Sequence, residues 1–371
     1  MKNHHGKSRP FILYPKKDIN EIRDCVLENY GSIKYELPFL NALCVEIPES
    51  GITSIKTNQR VAMMSEDVRV SKLPLPAKDS SCFLSSCQSS SYRCPYCGEG
   101  ICIAIIDTGV SPHYDLVKPF NRIIAFKDFV GENEFPYDDD GHGTHVAGIA
   151  LGNGYLSNGA RHCGSAPKAA LAALKALDGQ GSGNMSDILA AMQWVYDHHK
   201  KYNIRVVNLS LGVLPDQNME IDPLAVGANA LVCAGVSVVA AAGNSGPKTG
   251  TISSPGTSPL VLTVGSCDDN HKIPDFSSRG PTLDGTIKPD LIAPGVNVSS
   301  LVADDCKGYV EQTGTSMSAP YVAGLAASLY SEHPQACPSE IKNALIHSAT
   351  PIKKADRNAQ GHGLLLWKCI P

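Results

Sequence analysis

A chain of 371 residues has room for one large domain and a small one, and a 43% hydrophobic share is that of an ordinary globular protein. A net charge of −4 without any Lys/Arg run argues against nucleic acid or an anionic membrane as a partner. The polar, basic Met1–Pro10 is followed by only four apolar residues, Phe11-Ile-Leu-Tyr14, too few for a secretory h-region, so a cytoplasmic location is expected.

Taken in chain order, residues 11 to about 72 read as a small separate unit. Phe11–Tyr14 predicts a short strand, and Asp18 is placed to cap a helix carrying Ile19, Ile22, Cys25 and Val26 at helical spacing. Ser32–Leu37 alternates, with Ile33, Tyr35 and Leu37 on one face; Asn41–Ile47 alternates likewise until Pro48 ends it. A second helix around Ser50–Arg60 and a last strand around Asp67–Leu73 complete a β-α-β-β-α-β order, that of a ferredoxin-like α+β unit. The expected division is therefore 1–73 for the small domain, 74–99 for a Cys/Ser-rich linker and 100–371 for the large domain.

The chain holds 13 cysteines. Cys102, Cys233 and Cys267 lie in or at the ends of apolar runs, where a reduced thiol acts as a small hydrophobe. Cys82, Cys87, Cys94 and Cys97 instead cluster among the serines of the linker. Four thiols ending in Cys-Pro-Tyr-Cys are compatible with zinc or a redox pair, against the plainer reading of a linker without a ligand.

From Ile101 onward, apolar runs alternate with helical patterns. Strands are expected at Ile101–Ile106, Ala170–Ala176, Val206–Leu209, Val236–Ala241 and Leu260–Val264. Helices are expected at His142–Leu151, Ser186–Lys200, Pro223–Ala234, Ser316–Tyr330 and Pro338–His347. Near-continuous apolar strands between helices mean an α/β fold, a parallel sheet covered by helices on both faces. Ala225–Gly243, the most membrane-like stretch, contains Asn229, Ser237 and three glycines and reads as a buried helix running into a core strand.

Three distant segments carry chemistry: Ile103-Ala-Ile-Ile-Asp-Thr-Gly109, Asp140-Gly-His-Gly-Thr-His-Val-Ala-Gly148 and Gly314-Thr-Ser-Met-Ser-Ala-Pro320. Each sets one catalytic-type side chain among small residues, in the order Asp107, His142, Ser316. A serine hydroxyl needs a base to take its proton as it attacks a carbonyl, and the base needs a carboxylate to hold its tautomer. Ser316 opens a helix, with Pro320 expected in its first turn, and the plain alternative for such a serine is an N-cap. Asp107 follows four apolar residues, so a strand delivers it buried, at the carboxyl end where parallel sheets gather function, as for Ser210 and Asn244. Asp115 reads as an exposed turn aspartate, and Asp138-Asp139-Asp140 as a solvated acidic loop.

These three segments, with Ala241-Ala-Gly-Asn-Ser-Gly246, make the chain resemble a subtilisin-family serine protease from about residue 100 to the C-terminus. The resemblance implies an Asp107-His142-Ser316 triad acting through an acyl-enzyme, and makes Asn244 an oxyanion donor. It leaves His145 as a packed or hydrogen-bonding partner and Ser318 as structural. It makes Gly181-Ser182-Gly183 an edge strand for substrate and Ser210-Leu211-Gly212 the opposite wall of the cleft. It also implies that the small domain is a propeptide whose tail passes through the cleft, so the expected partners are protein or peptide substrates, cut with broad specificity, and the protein's own propeptide. The loop Leu151–Gly164 does not reproduce the asparagine-rich calcium loop of secreted members; no cofactor is expected, and calcium is without support. A catalytically silent regulatory or binding protein on the same fold is the competing reading.

Overall fold

The computed structural model describes residues 7–74, 97–131, 133–159, 162–215 and 221–366. Its first unit comprises β1 (Ser8–Pro15), α1 (Ile19–Glu28), β2 (Ser32–Leu37), β3 (Ala42–Pro48), α2 (Glu49–Lys56) and β4 (Val61–Glu66). Asp18 caps α1 by accepting the Asn20 N–H, and Ile22, Cys25 and Val26 form its buried stripe. The sheet order is β2-β3-β1-β4, with β1 antiparallel to both neighbours. Phe11, Leu13, Val45 and Ile47 face the helices, whereas Ile12 and Cys44 face the other way into the core of the large domain, the period-2 alternation of a strand covered on both sides.

The fourth strand differs from expectation. Val61–Glu66 pairs with β1, and the segment expected in that place, around Asp67–Leu73, instead leaves the unit as a separate strand, β5 (Arg69–Lys72). Only Val61 and Ser65 of β4 are buried, too sparse a pattern to read as a strand. The second helix is also shorter than expected, ending at Lys56.

The large domain continues with β6 (Cys102–Asp107), α3 (Tyr114–Val117), β7 (Ile123–Asp128), α4 (His142–Leu151), β8 (Ala170–Lys175), β9 (Ser182–Asn184) and α5 (Met185–Tyr202). Then follow β10 (Ile204–Leu209), β11 (Leu211–Gly212), α6 (Pro223–Cys233), β12 (Ser237–Ala241), β13 (Leu262–Cys267), β14 (Leu291–Pro294), β15 (Val298–Leu301) and β16 (Tyr309–Gln312). Helices α7 (Thr315–Glu332), α8 (Pro338–Ser348) and α9 (Arg357–Gln360) complete the described chain. Seven strands form one parallel sheet in the order β14-β13-β12-β10-β6-β8-β7. Ile103 and Ile105 pack toward α4 and α7, and Cys102, Ala104 and Ile106 toward α5 and α6, which is why β6 reads as an unbroken apolar run. Cys102 and Cys267 are buried as expected, but Cys233 ends α6 exposed.

The two units are joined by more than chain continuity. Lys34 Nζ pairs with Asp187 at 2.8 Å and Tyr35 donates to the same carboxylate at 2.9 Å. Asp67 accepts the Ser186 N–H at 2.9 Å, so an N-terminal-unit carboxylate caps the first turn of α5, whose own N-cap residue, Asn184, makes no side-chain capping bond. Strand β5 then lies between β9 and β11 and is antiparallel to both.

Candidate active site

The carboxyl end of β6 delivers Asp107, and the first residue of α4 is His142. Asp107 Oδ1 lies 2.7 Å from His142 Nδ1 and also accepts the Thr108 N–H at 2.7 Å; both side chains are almost fully buried. The approach of α4 to β6 depends on Gly143, since a Cβ there would stand 2.2 Å from the Gly109 carbonyl oxygen. Burial opposes the imidazolium, but the charge and hydrogen bond of Asp107 outweigh it, so His142 titrates above the usual histidine range.

Ser316 is the second residue of α7, so its N–H belongs to the first turn, which has no intrahelical acceptor. Its hydroxyl donates to the Ser210 carbonyl at 3.2 Å, while His142 Nε2 has no hydrogen-bond partner among the described residues. Pro320 is the sixth residue of α7 rather than a first-turn residue, so it withholds the N–H that the Ser316 carbonyl would otherwise accept. The Ser210 hydroxyl takes that place, donating to the Ser316 carbonyl at 3.0 Å, and is itself held by Asn208 Nδ2. Ser210 and Ser316 are thus bonded reciprocally.

Asn244 follows β12 at the same edge of the sheet. Its Oδ1 accepts both the N–H and the hydroxyl of Thr315, at 3.0 and 2.9 Å, which turns Nδ2 outward. Nδ2 donates to the carbonyl of Pro74 at 2.8 Å. Residues 69–74 therefore run through the site. Val70 is opposite Gly183 and Ser71 opposite Ser182 on one side, with Ser71 opposite Gly212 and Lys72 opposite Leu211 on the other. Lys72 N–H donates to the Gly181 carbonyl at 2.8 Å. Of the ten residues named from the sequence, Gly181–Gly183, Leu211, Gly212 and Asn244 thus meet residues 70–74, Ser210 is bonded to Ser316, and Asp107 is bonded to His142, whose N–H is accepted by Asp140, the partner of Lys72.

Two aspartate expectations fail. Asp138 is buried, accepting from Thr108 Oγ1, the Gly141 N–H, and both the N–H and hydroxyl of Thr144, all within 2.8 Å. Burial alone would raise its pKa, but these bonds hold its carboxyl below the ordinary range. Asp139 pairs with the buried Lys175 at 2.5 Å yet stays half exposed, and Asp140 pairs with Lys72 at the same distance with its side chain nearly buried, so of the triplet only Asp139 keeps the solvated character expected. Asp115 is buried too, accepting the Tyr309 hydroxyl at 2.7 Å. These residues, with Thr315, escaped the sequence reading because their partners lie elsewhere in the chain; the Asp138-x5-Thr144 spacing was the one local signal.

His145 is buried, with Nε2 3.1 Å from the carbonyls of Val298 and Val310, where it anchors the β15–β16 hairpin. Among the described residues no group of three His, Cys, Asp or Glu could hold a metal, and no helix is long and apolar enough to cross a membrane. Cys82, Cys87 and Cys94 of the suggested zinc cluster lie outside the described residues.

A model of the Subtilase family matches residues 98–363. The chain is 39% identical to "Serine protease AprX" of Bacillus subtilis over 290 residues, covering 72% of this chain and 65% of that protein. It is 32% identical to "M-protease" of Shouchella clausii over 332 residues (89% of this chain, 79% of the relative) and 30% identical to "Subtilisin E" of Bacillus subtilis over 343 (88% and 80%). The chain thus spans about two thirds of the first relative's length and more of the others. The matched region begins just before β6 and takes in the whole parallel sheet together with α4 and α7, and on that extent the chain belongs to the subtilase family.

Proposed function

We propose that the protein is a serine endopeptidase, made as a zymogen, in which Asp107, His142 and Ser316 form the triad. In this mechanism the Ser316 hydroxyl turns from the Ser210 carbonyl toward His142 Nε2, which takes its proton as Oγ attacks the substrate carbonyl. Asp107 holds Nδ1–H and stabilises the imidazolium. Asn244 Nδ2 and the Ser316 N–H receive the developing oxyanion, and His142 returns the proton to the leaving amine. Water then hydrolyses the acyl-enzyme by the same route. Substrate backbone would pair with β9 and β11, a mode that reads side chains weakly and suits broad specificity.

The observation that carries the reading is the strand Arg69–Lys72 between β9 and β11, leading to a Pro74 carbonyl on Asn244 Nδ2. A segment in that place supports the role of residues 1–73 as an inhibitory propeptide, with 74–99 as linker and 100–371 as catalytic domain. We place the protein in a reducing compartment such as the cytoplasm, where thiols like those of Cys25, Cys44 and Cys102 stay reduced. A fluorophosphonate probe should label Ser316 and abolish casein hydrolysis; a labelled Ser316 with no hydrolysis of any protein would favour the silent binding protein instead.

A further inference from the structure

The strand that fills the cleft pairs through its backbone, and a backbone ladder accepts almost any sequence. Lys72 departs from that indifference. Its Nζ reaches both oxygens of Asp140, at 2.6 and 2.5 Å. Asp140 is nearly buried and sits two residues before His142, whose N–H it accepts at 3.2 Å. The stem of Lys72 lies across Gly181, where an added Cβ would come within 2.5 Å of its Cδ and Cε. A residue without a side chain makes room for the methylenes, and a desolvated carboxylate waits at the end of them. The other ion pair of this strand, Arg69 with Asp178, is far more open: the arginine side chain is 55% exposed, against 27% for Lys72. An exposed pair of that kind discriminates little.

We propose that Asp140 is a specificity-determining residue, selecting a lysine or arginine at the substrate position whose N–H pairs with Gly181. This inference rests on reading residues 69–74 as occupying the substrate groove. Nearly buried and charged, Asp140 is left short of a partner when a neutral side chain binds, which is where hydrogen bonds to ions gain most of their discrimination. The protease therefore cuts segments of varied sequence that carry one basic residue at that position.

The test is a cleavage-site profile of the mature enzyme on a denatured protein mixture, read by sequencing the new N-termini. Wild type should show Lys and Arg enriched about tenfold at one fixed position shortly before the cut. Asp140→Asn should flatten that position while leaving preferences elsewhere in the profile, and Asp140→Lys should turn it toward Glu and Asp. Because each result is a ratio within one profile, a general loss of rate does not imitate it. A wild type that cuts many sites with no basic bias, or a bias that survives Asp140→Lys, overturns this proposal while leaving the protease reading intact. A wild type that cuts nothing overturns both.

Discussion

Asn244 is fixed through its oxygen and, in the proposed mechanism, acts through its nitrogen. Removing such a donor from subtilisin itself costs about 10²–10³ in kcat, and Asn244→Leu should lose a similar factor with little change in KM. Thr315→Val removes the hydroxyl that orients the amide and should lower kcat about tenfold, again without moving KM; an unchanged kcat would mean that the amide needs no such support. Since only neutral His142 accepts a proton, and Asp107 raises its pKa, the acid limb of kcat/KM should lie above the free-histidine value of about 6.5. His145 behaves oppositely. Burial pushes its pKa down to about 3, below its unfolded value, so its contribution to stability is complete above about pH 6.5 and is lost as pH falls from there. Denaturant midpoints of a Ser316→Ala chain across pH 3–7 should fall steeply on the acid side, and less steeply with His145→Gln added.

At the scale of elements, β6, α4 and α7 were legible because an unbroken apolar strand and glycine-flanked helix starts leave few alternatives. The loop before α4 was not legible. Three consecutive aspartates look like solvated charge, yet Asp138 closes the loop onto Thr108 and Thr144, so its burial follows from how β6 and α4 meet rather than from local sequence. Asp138→Ala would strand several buried donors and should cost at least about 3 kcal/mol in denaturant unfolding. The division between β4 and β5 was illegible for a related reason: Val70 is buried in the core that the small unit shares with the large domain, not in the small unit's own helix-facing core, and its strand pairs with β9 and β11. Pro320 shows a local rule overridden by a distant group, since Ser210 supplies the donor that the proline lacks. Ser210→Ala should therefore lower kcat by misplacing Ser316, with a fold that still refolds reversibly; full activity would show that the helix tolerates the open carbonyl.

Across the whole molecule, the N-terminal unit completes what the large domain leaves open: a cap for α5 through Asp67 and a strand between β9 and β11. Parallel sheets fold slowly because distant segments must meet before any contact rewards them, so a docked unit that fixes α5 and both cleft edges can act as a template. A chain starting near Gly98 should refold poorly unless residues 1–80 are added, and that segment should inhibit the active enzyme in trans; unaided refolding with no inhibition would reduce it to an accessory domain. All of this presumes that the site in the cleft is an active protease that processes its own chain. The most direct check is the N-terminal sequence of purified wild type beside Ser316→Ala. Wild type should begin beyond Pro74 and Ser316→Ala should keep Met1; a Ser316→Ala chain trimmed at the same point and still hydrolysing casein would contradict it.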